Sequence, residues 1–202
     1  MTYTSFEITT APSSMPVGSA DMKSHLRIAH TDEDTLLATL QMATQELLGR
    51  ITRRSLMVQT ITLKLDDFPS GTNAIELPRP PTISVTSIQY VDVDGATQTW
   101  ASANYDVDTS SSPAMITPAY NGGTLQEYPD VRTDTPNSVT VVYQAGHTTL
   151  DDIPESMRLA HMMLVAHFYE NREVSSSMVM AVTELPFGLQ MLVGANQMSE
   201  VY

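Results

Sequence analysis

Two helical blocks, separated by a long run of strand and turn signals, constrain this chain more than any single motif. From Thr31 to Thr52 the apolar residues Leu36, Leu40, Ala43, Leu47 and Ile51 recur at spacings of three and four, the period of one helix face. Thr31-Asp32-Glu33-Asp34 sets a capping hydroxyl and three carboxylates at the positive end of that helix dipole. Arg50, Arg53 and Arg54 fall at its negative end, where their charge is favoured. The second block, Pro154 to Arg172, is apolar on nearly all sides between Met157 and Tyr169 and reads as the buried helix. Asp151 or Asp152 caps it, and Pro154 falls in the first turn, where its missing N–H costs nothing. A short helix precedes both, capped by Ser19 or Asp21 and running through Met22, Leu26 and Ile28.

The stretch 55–145 reads as β. Leu56 to Leu65 alternates and stops at Asp66-Asp67-Phe68-Pro69; Ala74 to Leu77 is a short strand ahead of Pro78, Pro80 and Pro81, which belong at an edge or in an extended connection. Ile83 to Val91 is the best strand, Asp94-Gly95 a hairpin signal, and Thr97 to Trp100 the return. Tyr105 to Asp108 and Ala114 to Thr117 are weaker strands. Asn121-Gly122-Gly123 and Tyr128 to Asn137 read as a long loop, and Val139, Val141 and Tyr143 alternate in the last strand. The fold class is therefore α+β: a helical scaffold (31–52 and 154–172) with an inserted, mostly antiparallel β section and a C-terminal tail. In domain terms, 1–18 is an extended arm in which Pro12 and Pro16 oppose helix, 19–174 a single domain, and 175–202 the tail.

That tail changes character. After Ser175-Ser176-Ser177 it is rich in Met, carries Pro186, Phe187 and Met191, and has no Lys or Arg beyond Arg172. An uncharged apolar segment is poorly solvated alone, and Met suits irregular surfaces, so the tail reads as a docking segment. The competing reading is that it folds back and completes its own core.

Composition narrows the function. Apolar content of 42% argues against wholesale disorder. Twenty-three acidic residues against ten basic, a net charge of −13, leave too few cations for a general grip on DNA or RNA, or for an anionic membrane. There is no cysteine, so disulfides and thiolate zinc sites are excluded, and no apolar run is long enough to span a bilayer. The start, Met1 to Gly18, lacks the basic and apolar regions of a secretory signal.

Catalytic chemistry finds little support. Asp92-Val93-Asp94-Gly95 resembles a calcium-loop fragment, but the later ligands are missing and a hairpin turn explains it better. His25, His30, His147, His161 and His167 form no His-x-x-x-His pair; they suit core or interface positions. No Gly-x-Ser-x-Gly elbow exists. Asp66-Asp67 and Asp151-Asp152 are adjacent, which fits turns and caps better than paired acid and base. The enzymatic alternative is an acidic metal-dependent hydrolase using His25, His30, Asp32 and Asp34. The balance favours a protein that is not an enzyme and holds no cofactor or metal.

Several segments in consistent order carry a family resemblance. They are Met22-Lys23-Ser24-His25-Leu26-Arg27-Ile28 with Asp32-Glu33-Asp34, Gln59-Thr60, and Leu65-Asp66-Asp67-Phe68-Pro69. Leu77-Pro78-Arg79-Pro80-Pro81 and Val85-Thr86-Ser87-Ile88-Gln89-Tyr90 follow, then Tyr143-Gln144-Ala145-Gly146, Ile153-Pro154 and His167-Phe168-Tyr169-Glu170-Asn171-Arg172-Glu173. Together, over roughly Asp21 to Leu192, the chain resembles head–tail connector (adaptor, head-completion) proteins of tailed bacteriophages and gene transfer agents. The resemblance implies a virion protein forming a ring, usually twelvefold, between the portal protein and the stopper or another neck component. DNA would pass through the channel without specific binding. It also implies that the tail docks on the portal, through Leu185, Pro186, Phe187, Leu189, Met191 and Leu192. Arg50, Arg53, Arg54 and Arg172 are the candidates for contacts between subunits, against the reading that the first three only complement the helix end. A phage stopper or tail-terminator is the alternative within that context, though those are generally β-dominated.

Overall fold

The computed structural model describes residues 5–171 and 187–198, and these form two compact units, one from 5–13 and 58–146, the other from 14–57, 147–171 and 187–198. The β section thus stands as a unit of its own, where the sequence suggests one domain over 19–174.

In the first unit, β1 (Ser5–Thr10), β2 (Gln59–Leu65), β10 (Val139–Ala145), β4 (Thr82–Val91) and β5 (Thr97–Trp100) lie in that order in one antiparallel sheet. A second sheet has the order β3 (Ile75–Leu77), β7 (Ala114–Pro118), β6 (Tyr105–Asp108). A two-residue ladder, β8 (Tyr120–Asn121) with β9 (Thr124–Leu125), completes the unit. The strict alternation of β2 and β10 buries Ile61, Leu63, Leu65, Val139, Val141 and Tyr143, and these share one core with Ile75, Leu77, Ala114 and Ile116 of the other sheet. At one end of that core Phe68 stacks on Tyr128 (5.0 Å) and meets Trp100 edge-on (5.5 Å). The Tyr128 hydroxyl donates to the Asn73 carbonyl at 2.8 Å, and burial pushes the phenol up to about 12.

Residues 5–10 of the N-terminal arm pair with β2 as the outer strand of the sheet, with Phe6 half-buried and the Arg79 guanidinium 5.4 Å above its ring. Asn121-Gly122-Gly123 is no open loop: both glycines have positive φ (61° and 83°), and they close the β8–β9 hairpin. Asp92 accepts the N–H groups of Asp94 and Ala96 and the Gln98 side-chain amide, so the carboxylate is spent inside the β4–β5 hairpin. Those bonds, Gln98 first, hold it below the usual carboxylate range.

The second unit is helical: α1 (Ser19–Leu26), α2 (Asp34–Thr52), α3 (Glu155–Glu170) and α4 (Phe187–Gly194). None of the anticipated side-chain caps forms. Gly18, Glu33 and Pro154 stand at the three N-cap positions without a side-chain bond, and α2 begins three residues after Thr31. Asp152 instead accepts the Thr149 N–H and the hydroxyls of Thr148 and Thr149, tying the turn before α3.

The buried face of α2 is turned by one residue from the apolar stripe. Leu37, Gln41, Thr44, Gln45, Leu48 and Thr52 are buried, while Leu36, Leu40, Leu47 and Ile51 are half-buried and Ala43 is exposed. Thr44 and Thr52 tolerate burial because their hydroxyls donate back to the carbonyls of Leu40 (2.8 Å) and Leu48 (2.7 Å). Nor is α3 buried all round: Met157, Ala160, His161, Leu164 and Val165 make one inward face, and Leu159 and Phe168 are exposed. No helix among the described residues is long and apolar enough to cross a membrane.

Candidate interaction surfaces

The helical unit concentrates the residues for which the sequence suggests a role, and α4 is its centre. Leu189 and Val193 are each 3% exposed, packed with Leu48, Leu56, Met157 and Leu164 of α2, α3 and the segment between. Leu192 packs at the border of that cluster, whereas Met191 is 62% exposed. Spacings of three and four thus divide α4 into an inward edge (189, 192, 193) and an outward one at 191. The described part of the tail folds back on its own core; Leu185 and Pro186 lie outside the described residues.

The end of α4 is fastened by polar bonds. Arg54 donates from Nε to the Asn196 carbonyl at 2.7 Å, the Asn196 side-chain amide donates to Ser156 Oγ and to the Leu192 carbonyl, and the Met198 N–H reaches the Thr52 carbonyl at 3.1 Å. Burial lowers the Arg54 pKa from its ordinary value. Arg54 is therefore committed within its own chain. Arg50 is exposed and pairs with Glu46 one turn earlier at 2.8 Å, a surface pair of small energetic weight. Arg53 closes α2 in the left-handed conformation (φ 56°) and is engaged within the chain. Arg172 lies outside the described residues.

Among the described residues the histidines and carboxylates do not converge on a catalytic arrangement. Lys23 takes Asp34 at 2.5 Å, and His30 lies 3.8 Å from Asp32 and 4.0 Å from Glu33, while His25 has no part in that group. No three metal-ligating side chains come together among the described residues. His161 is wholly buried between α2 and α3. Thr44 Oγ1 already donates to backbone carbonyls, so His161 Nδ1 at 3.3 Å must be the donor to it, which leaves Nε2 without a partner among the described residues. Burial lowers this imidazole to about 4, and it stays neutral. Sequence spacing alone could not find the polar seam of Gln41, Thr44, Gln45 and His161, since it interrupts the apolar pattern that marks a helix interface.

In the β unit the most exposed apolar side chains sit at turns, Val93 (64% exposed) in the β4–β5 turn and the cross-strand pair Tyr120 (71%) and Leu125 (45%) on the β8–β9 hairpin, while Ile8 of β1 and Ile83 of β4 are exposed on strands. The unit is also the more acidic. Residues 5–13 and 58–146 hold eleven Asp and Glu against three Lys and Arg, a net of −8. The described residues thus define an α+β protein of two compact units, one helical and one an acidic β unit.

Comparison with known proteins agrees with that class. The sequence profile of the head completion protein family matches residues 18–182, and the chain belongs to that family. Its fold recurs in solved particle structures. The neck of an empty GTA particle computed with C6 symmetry contains a chain 22% identical, with a TM-score of 0.72. The virion of a native gene transfer agent particle contains one 22% identical at 0.75, and the neck of a native GTA particle computed with C12 symmetry one 21% identical at 0.71. Each alignment covers 98% of this chain and 97% of the other. No curated protein matches the chain.

Proposed function

We propose that this protein is a head–tail connector subunit of a tailed-phage-like particle, resident in the virion neck, forming a ring between the portal and the next neck component. The observation that carries the reading is the family match across 18–182, joined to a fold shared over nearly the whole chain with neck proteins. The C12 symmetry of one such neck suits a ring of twelve copies. Ring closure uses heterologous contacts, in which one patch of each copy meets a different patch of the next.

The role asks for binding rather than chemistry, and the helical unit supports it. The C-terminal segment carries the portal contact. Leu185 and Pro186 precede α4 in the sequence, Phe187 is its first residue and Met191 lies on its open face, while Leu189 and Leu192 anchor the helix in its own unit. The acidic β unit would repel duplex phosphates, so DNA slides past without adhering.

Electron microscopy of the full chain mixed with its cognate portal tests this. A ring stacked on the portal is the expected image, and Met191→Asp should reduce the bound fraction at least tenfold while leaving the protein folded. Portal images without added density would overturn the connector reading; undiminished binding by Met191→Asp would overturn only the assignment of the docking face.

A further inference from the structure

Among the described residues four non-glycine residues adopt left-handed φ: Arg27 (57°), Arg53 (56°), Arg79 (65°) and Asn137 (58°). An L side chain is disfavoured there because its Cβ crowds the following carbonyl; glycine enters freely and asparagine at small cost. Arg27 occupies the position that closes α1, and its backbone N–H bonds to the carbonyls of Lys23 and Ser24. Glycine would do that backbone work without strain. The reason for arginine must therefore lie in the side chain.

The other strained arginines have such a reason inside the chain. Arg79 lies over the Phe6 ring, and Arg53 is engaged. Arg27 differs: it is exposed, and its guanidinium has no partner among the described residues. That is unusual in this molecule. Lys23, Arg50, Arg132 and Arg158 are paired with Asp34, Glu46, Asp134 and Glu155, and Arg54 is bonded to the Asn196 carbonyl. The remaining described cation without a partner, Lys64, is half-buried on β2.

We propose that Arg27 pairs with a carboxylate on the neighbouring copy of this chain in the ring. The inference rests on the connector reading above and deepens it by naming one side of the subunit boundary. Each copy carries −13, so closing a ring sets like charges side by side, and free cations are most useful where they cross a boundary. The neighbour offers 23 acidic residues to 10 basic ones, which makes it a carboxylate-rich partner. Guanidinium binds carboxylate through two parallel hydrogen bonds, a geometry that fixes register as well as charge. In its own chain Asp34 is taken by Lys23, and Asp32 and Glu33 face His30.

Arg27→Gly separates this role from a structural one, because it removes the guanidinium and relieves the backbone together. The isolated variant should melt at an unchanged Tm or up to about 2 °C higher, while its ring yield on the portal falls at least tenfold. Arg27→Lys, which keeps charge but not the two-bond geometry, should fall between the two. Wild-type ring yield from Arg27→Gly overturns the inference, as does a Tm well below wild type, which would make Arg27 structural. Retention of a short DNA duplex by the free wild-type chain, lost in Arg27→Gly, would assign the guanidinium to phosphate and overturn the carboxylate partner. Absence of rings from the wild-type chain overturns the connector reading and this inference together; rings from wild type and variant alike overturn this inference alone.

Discussion

His161 shows how a single buried side chain sets the acid stability of the helical unit. The folded imidazole is lowered to about 4 by burial, against an ordinary 6.5. Between those values the unfolded chain binds a proton that the folded chain refuses, so stability is full above pH 6.5 and falls as pH drops toward 4. At 1.36 kcal/mol per unit the loss amounts to about 3 kcal/mol. His147, lowered mainly by burial, adds a loss of the same sign below 6.5. The carboxylates of Asp92, Asp108, Asp134 and Asp152 are held below 3.8, so their contribution disappears only at still lower pH. Urea unfolding of His161→Gln from pH 7 to 4 should therefore show a shallower decline than wild type; parallel declines would place the proton elsewhere. At this scale the sequence is least legible. A histidine inside an apolar helix announces burial, but its partner Thr44 lies 117 positions away, on a helix whose buried face takes in Gln41, Thr44 and Gln45. The apolar stripe therefore misplaces that face by one residue.

Elements were far easier to read, since period and turn chemistry are local. Alternation places β2 and β10, where a side chain's exposure follows from its neighbours two residues away, an apolar run places β4, and Asp94-Gly95 marks the β4–β5 hairpin. What local pattern could not supply was pairing over distance. The pairing of β1 with β2 and the return of α4 onto Leu48 and Leu164 depend on segments far apart in the chain. The division of α4 into an inward and an outward edge carries a prediction. Leu189→Ala removes a side chain 3% exposed and should cost roughly 2–5 kcal/mol, whereas Met191→Ala, on the open edge, should change stability by less than about 0.5 kcal/mol. Chemical denaturation of the two variants checks this; equal, small effects would mean that α4 is not part of the core. Arg54→Ala should lie between them at about 1–3 kcal/mol, because the Asn196 carbonyl loses a charged donor in a partly buried place.

For the whole molecule, charge distribution joins fold to function. The helical unit carries the surfaces proposed for docking, and the β unit carries most of the chain's excess negative charge, −8 from residues 5–13 and 58–146. Net charge says nothing of fold, yet it governs how a surface meets a polyanion. Duplex DNA presents about one charge every 1.7 Å, so a surface of like sign near its path lowers friction by denying it any foothold. Asp67, Asp94, Asp106 and Asp130 are exposed and their side chains unpaired among the described residues, which makes them suitable probes, since Asp94 serves the β4–β5 turn through its backbone N–H. Reversing all four to lysine adds two charges each and brings the unit from −8 to neutral, with local positive patches. Isolated wild-type protein should not retain duplex DNA at about 0.15 M salt, while the reversed variant should, and its retention should vanish as salt is raised. In assembled particles the same variant should slow or arrest DNA ejection if the β unit borders the channel. Normal ejection from particles that contain the lysine variant would place the acidic unit away from the DNA, and its charge would then act only between proteins.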